Sequence, residues 1–324
     1  MMNIRARWGA RISFAALLLT FSELVVWQAP GDYGLLAWLG LAPLYLAFSA
    51  IALDLIARLA ASDAPSLLLV AGAYGLANGT LISHVAIRDL PLSLLARPLG
   101  AQPLAFLGAL AAWRLLLSGR GARLPHLLAA AIIGLAWGVW VRWAPGASDG
   151  TIPPVSEATA LIVSGLALVA CLVIARLAAR TPITRREDWL LAPVEWAGAA
   201  GVLVIALAIG RAQNDLSSVG VGIVLTLIAF MLGTLVATRA LRGDRSALDM
   251  LTPPRDPLAA GWIALVAVFL GAGWVGAALP GSGDHSTQGD LLIGLLTGFG
   301  VLWLPVVSAL IGVRAFVQLA REQV

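Results

Sequence analysis

An ionisable side chain well inside an apolar helix costs roughly 2.5 to 3.5 kcal/mol on insertion scales, so the few that occur are the first place to look for chemistry. Two glutamates meet that description. Glu23 stands in the later half of the apolar run Ile12–Trp27, and Glu195 about two turns into the run Trp189–Ile209, just after Pro193. A carboxyl so placed can take up a proton, grip a cation or hydrogen-bond a quinone. The competing reading is a protonated or paired structural carboxyl near an interface. Asp54 and Arg58 also lie inside an apolar run, but their four-residue spacing puts them on one helix face, where they neutralise each other, and they read as structural.

The most polar stretch within any run is GAYGLANGTLISH, residues 72–84. Asn78, Thr80, Ser83 and His84 would form a polar notch opening outward. Gly72, Gly75 and Gly79 of the same stretch have the small-residue spacing that lets a neighbouring backbone approach, and packing is the simpler purpose. The three histidines are His84, His126 and His285. His84 and His285 would face the same side and could ligate a haem in trans. Trp137, Trp140 and Trp143 resemble in outline the tryptophan-rich haem-handling loop of cytochrome c maturation proteins, although no Trp-Asp pair occurs. No metal-binding HExxH, paired catalytic aspartates or serine–histidine dyad is present: Ser164–Gly165 has no histidine placed to activate it. Every basic residue is arginine, which removes lysine chemistry, and the single Cys171 can form no intrachain disulfide. Neither a cofactor nor a metal is expected.

The elements that must position these residues are membrane helices. In 324 residues, 60% are apolar and 12% charged, against about a quarter charged in soluble domains. The chain reads as all-α, a polytopic integral membrane helical bundle forming a single transmembrane domain over residues 1–324. About ten transmembrane helices are expected, at 12–27, 35–56, 66–87, 103–118, 127–141, 158–174, 189–209, 216–237, 258–279 and 291–313. With both termini cytoplasmic, seventeen of the 21 arginines fall inside; only Arg88, Arg97, Arg142 and Arg211 fall outside. Losing one span would invert every later loop and destroy that asymmetry, so an even count is favoured. Ser156, Asp215 and Asp290 are candidate helix caps. Trp8, Trp27, Trp143, Trp189 and Trp303 stand near span ends, where an indole buries its ring and keeps its N–H wet. Gly271, Gly273 and Gly276 in the ninth span, with Gly294, Gly298 and Gly300 in the tenth, suit close packing of those two helices on each other or on a partner.

Two connections are more than turns. Val85–Leu99, broken by Pro91 and Pro98, is expected to lie along the outer interface rather than cross. Residues 239–257 form the longest cytoplasmic loop, with four arginines, and could dock a soluble partner; a solvated loop obeying the positive-inside rule is the plainer alternative. The stretch LLAWLGLAPLYLAF, Leu35–Phe48, with the glycine-rich span after it, is similar to the N-terminal membrane region of apolipoprotein N-acyltransferases over about a quarter of the chain. That family's Glu, Lys and Cys triad sits in a soluble nitrilase-like domain, for which these residues have no counterpart, so the resemblance implies no acyltransferase activity.

Scattered arginines without a basic face exclude nucleic acid as a partner; the lipid bilayer and other membrane subunits are the expected ones. The leading expectation is a subunit of a larger complex of the cell membrane, energy-converting through protons or a quinone, without catalytic activity of its own. A five-plus-five secondary transporter is the alternative, and an intramembrane enzyme or haem-handling protein the third.

Overall fold

The computed structural model describes residues 4–26, 35–84, 92–117, 123–143, 156–178, 186–213, 216–241, 245–249, 259–279 and 285–322. These are helical throughout their regular parts, and no strand occurs among them. In chain order the helices are α1 (Ile4–Leu19), α2 (Leu35–Arg58), α3 (Ala64–Leu81), α4 (Leu92–Ala96), α5 (Gln102–Leu117), α6 (Leu124–Trp143), α7 (Glu157–Ala178), α8 (Pro193–Ala212), α9 (Ser218–Ala237), α10 (Ala259–Ala278) and α11 (His285–Glu322). Wide π-turns extend α1 through Thr20–Val26 and join α4 to α5 through Arg97–Ala101. Nine helical segments among the described residues are long and apolar enough to cross a membrane.

Of the ten expected spans, α3 is the one outside that set. Its 18 residues match the shortest of the nine in length, so what separates it is composition: Pro65, Ser66, Asn78, Thr80 and three glycines lower its hydropathy. It was expected to continue to Ile87, but it stops at Leu81, where the Ile82 and Ser83 N–H groups both return to the Asn78 carbonyl and the backbone turns left-handed at His84, φ 54°. Most of α3 is buried. That burial explains its glycines and polar residues, since a helix surrounded by other helices needs small contact surfaces rather than lipid-facing leucines.

The segment expected to lie flat is different. From Leu92 onward it is helix, and Ser93–Leu117 forms one long candidate span. The wide turn lets the helix continue through Pro98, and the Gln102 N–H bonds to the Arg97 carbonyl. Arg97, expected in an outer loop, is therefore 5% exposed within a helix. Residues 85–91, with Arg88, lie outside the described set.

The chain forms two compact units. The first comprises residues 1–46, 108–183 and 251–293. Its seam is α6 against α10: a methyl at Gly134 would strike the Phe269 carbonyl, one at Gly138 the Gly273 carbonyl, and one at Gly276 the Leu135 carbonyl. Trp137 stacks on Phe269 across this seam at 4.9 Å. The second comprises residues 47–107, 184–250 and 294–324. Here α3 is met at Gly75 by the Pro98 carbonyl and at Gly72 by the Trp303 ring, while Gly300 of α11 abuts the Leu95 carbonyl. Of the six glycines in the last two spans, Gly273 and Gly276 pack on α6 and Gly300 on the α4 region, whereas a methyl at Gly271, Gly294 or Gly298 would meet open space. Asp290, a candidate cap, is interior to α11, and Asp215 lies outside the described residues; Ser217 caps α9 instead, accepting the Gly220 N–H at 3.0 Å. Ser156 does cap α7, accepting the Thr159 N–H at 3.1 Å.

Candidate functional site

Glu23 sits in the π-turn of the first unit with none of its side chain exposed. The Tyr45 hydroxyl on α2, itself 1% exposed, donates a short hydrogen bond to Glu23 Oε1. A wide turn detaches carbonyls from the helical ladder, and here they are taken by neighbours. Trp140 Nε1 on α6 donates to the Val26 carbonyl at 2.7 Å, and Ser164 Oγ on α7 to the Leu24 carbonyl at 3.5 Å. One turn away, Thr20 Oγ1 donates to the Ala16 carbonyl at 2.8 Å and lies 3.5 Å from Cys171 Sγ. The result is a carboxyl–phenol pair inside a shell of small polar groups from α1, α2, α6 and α7. Such a pair can hold a proton, pass it between the two oxygens, or accept one from a third group in contact with it.

The second glutamate is differently placed. Helix α8 begins at Pro193, so Glu195 is in its first turn rather than two turns deep. Its Oε2 accepts the Ala192 N–H at 2.8 Å, which is half of a capping box with proline at the first helical position. That is a helix-starting role, and it belongs to the second unit, whereas Glu23 belongs to the first.

The polar stretch of α3 largely satisfies itself. Asn78 Nδ2 donates to the Tyr74 hydroxyl at 3.2 Å, Thr80 Oγ1 to the Leu76 carbonyl at 2.8 Å, and Ser83 Oγ to the Gly79 carbonyl at 3.3 Å. Asn78 is fully buried and Thr80 4% exposed; Ser83 and His84 are half-buried beyond the helix end. His84 belongs to the second unit and His285, the first residue of α11, to the first. Among the described residues no three His, Cys, Asp or Glu side chains form a group able to hold a metal.

Asp54 gathers donors from two parts of the chain. It is fully buried and accepts two bonds from Arg58, at 2.9 Å each, the Leu191 N–H at 2.7 Å and Trp196 Nε1 at 3.2 Å. The Arg58 pairing follows from the spacing; Leu191 and Trp196 carry no local signal. Beside it the C-terminal carbonyls of α2 collect donors. The Ala57 carbonyl takes Arg186 Nε at 2.7 Å, the Arg58 carbonyl takes Arg186 and Arg239, and the Ile56 carbonyl takes Ser246 Oγ at 3.2 Å. Guanidinium groups there also complement the negative end of the helix dipole.

This hub bears on loop 239–257. Residues 239–241 form a helical turn, and Ser246, Ala247 and Leu248 are buried, the Ala247 N–H reaching the Ala61 carbonyl at 2.8 Å. This part of the loop is fastened to its own chain, while residues 250–257 lie outside the described set. Asp63, between α2 and α3, caps α3 through the Ser66 N–H at 3.1 Å and pairs with Arg314. Partial burial pushes its carboxyl up, but hydrogen bonds from Ser66 and Arg314 outweigh that and hold it below its ordinary value of 3.8.

Fold and site together define a protein that is all-helical among the described residues, with nine long apolar helices compatible with a multi-pass membrane protein and a buried carboxyl–phenol pair. Comparison with known proteins returned no matching family model, no matching curated protein and no matching solved structure.

Proposed function

We propose that this chain is a proton-handling subunit of a larger complex in the cytoplasmic membrane, with ten spans and both termini inside, and that Glu23 is its proton-carrying group with Tyr45 as its partner. The observation that carries the reading is the placement of Glu23. A carboxyl in a span is expensive, this one is fully enclosed, and it is mounted on a π-turn, a helix irregularity frequent at functional sites. A structural carboxyl would need only a partner; this one has a phenol, which can both donate and accept, and so can relay a proton.

A secondary transporter is the second reading, favoured by the widening of two continuous helices into π-turns at buried ionisable residues, Glu23 and Arg97, irregular backbone of the kind that lines ion sites in such proteins. One experiment tests both. The tagged full-length chain is extracted in mild detergent with whatever accompanies it. The assembly and the lone chain are then each reconstituted in vesicles holding a pH-sensitive dye. Proton movement that needs the assembly supports the subunit; movement by the lone chain supports the transporter. In either case Glu23→Gln is expected to lower the rate at least about a hundredfold, the size of a general acid–base contribution at its low end. A Glu23→Gln protein that moves protons like the wild type overturns both.

A further inference from the structure

Beside the glycine seam of the first unit, a half-open apolar cavity of about 320 Å³ is lined by residues of α5, α6, α7, α10 and the π-turn that extends α1. The cause is side-chain size. Gly108, Ala111 and Ala112 on α5 lie at three- and four-residue spacing and the adjacent Ala129 and Ala130 on α6 are equally small, so little side chain fills the space between the two helices, and Ala111, Ala129 and Ile133 form its exposed rim. Against these small residues stand three aromatic rings, Phe21, Trp262 and Phe269. The Trp262 N–H is already committed to the Leu168 carbonyl at 3.0 Å, so its indole offers the cavity a flat apolar wall.

Among the described lining residues one is titratable: His126, in the first turn of α6. Its Nδ1 accepts the Arg123 backbone N–H at 3.4 Å. In the neutral ring the acceptor nitrogen carries no hydrogen, so Nε2 carries it and is the donor. The cavity therefore combines a volume at the lower end of small-molecule sites, about 300 to 1,000 Å³, with ring-sized flat walls and a single hydrogen-bond donor.

We propose that this cavity binds a quinone-class molecule, an aromatic-sized ring bearing a carbonyl acceptor and an isoprenoid tail, with the His126 Nε2–H donating to the ring carbonyl. The imidazole N–H separates such a ring from an acyl chain, whose hydrocarbon has nothing to accept it. The proposal stands apart from the Glu23 reading, because Glu23 is not among the lining residues.

Equilibrium dialysis of the purified full-length chain against ubiquinone-1, a benzoquinone with one isoprene unit, tests it. The expected result is saturable binding at one per chain, with a carbonyl-free alkylbenzene of the same size binding more weakly. His126→Phe should raise Kd roughly three- to tenfold, the worth of one net hydrogen bond, and His126→Gln, which restores a donor, should recover most of it. Ala130→Phe, which fills the cavity, should abolish binding at unchanged thermal stability. Equal binding of the alkylbenzene by the wild type, which needs no variant to fold, would overturn the proposal. So would a His126→Phe protein with wild-type Kd, or no saturable binding at all.

Discussion

Replacing Asp54 with alanine should be among the most destabilising single changes in the second unit, and its cost can be assembled from the groups it orphans. The carboxylate is fully buried and receives four hydrogen bonds from three residues. Without it the buried Leu191 N–H has no acceptor, at about 1 to 3 kcal/mol, and the Trp196 indole loses a bond of about 1 kcal/mol. Arg58 loses its partner, but its side chain is 48% exposed and can turn to water, so this share is about 1 kcal/mol or less. Asp54→Ala should therefore cost about 2 to 5 kcal/mol, overlapping the range of about 3 to 5 kcal/mol found for breaking a buried ion pair from the buried side. Arg58→Ala should cost clearly less, because the carboxylate keeps its two other donors, and Trp196→Phe about 1 kcal/mol. The assay is reversible unfolding of the full-length chain in mixed micelles, followed by circular dichroism. An Asp54→Ala cost below about 1 kcal/mol would refute the reasoning. Equal costs for Asp54→Ala and Arg58→Ala would show that the ion pair, not the capture of the Leu191 backbone, is what matters.

Gly138→Ala should destabilise by at least about 1 to 3 kcal/mol in the same assay, since its methyl would meet the Gly273 carbonyl and the Ala277 nitrogen, backbone that cannot yield unless α6 and α10 separate. Gly198→Ala on α8, where a methyl meets open space, should instead be neutral or stabilising by up to about 1 kcal/mol, and the contrast within one assay is the check. Asp63 sets a pH dependence. Its folded carboxyl titrates below 3.8, so its contribution is fully present above 3.8 and is lost as pH falls through the folded value. The wild type should thus lose its advantage over Asp63→Asn as an unfolding series is taken below about pH 4, and a difference that is constant with pH would refute the assignment.

The helical class and most span positions were legible because long apolar runs bounded by arginines are statements about composition, and composition survives any tertiary arrangement. The capping role of Glu195 was legible too: proline at the first helical position and glutamate at the third is a start signal, and weighing the apolar run alone put the residue too deep. Gly134 and Gly138 form a GxxxG spacing that would have pointed to the α6–α10 seam. The rest was not local. The donors on Asp54 are 137 and 142 residues away in sequence, and Ser246 and Ala247 engage α2 and the turn after it through backbone groups, which carry no residue signature. Pro98 misled because a proline stops a regular α-helix but not a π-turn, and whether the wider turn forms depends on what packs against it.

That dependence can be traced in both π-turns. Backbone groups released from the helical ladder in a membrane interior meet no water, so a widened turn persists only where another helix supplies a donor. At Thr20–Val26 the donor is the Trp140 indole, 2.7 Å from the Val26 carbonyl; at Arg97–Ala101 it is the Trp303 indole, 2.8 Å from the Leu99 carbonyl. Both rings are buried, at 7% and 4% exposed. Trp303 was expected at a span end with its N–H in water, and it serves a carbonyl inside the protein instead. An indole suits the task because it fills the space a wide turn leaves and has one donor and no acceptor of its own to satisfy. The irregular backbone that holds Glu23 is thus maintained from α6, through the Trp140 indole N–H. The carboxyl is mounted on a turn that neighbouring helices hold through their donors, and Tyr45 adds a hydrogen bond to the carboxyl itself.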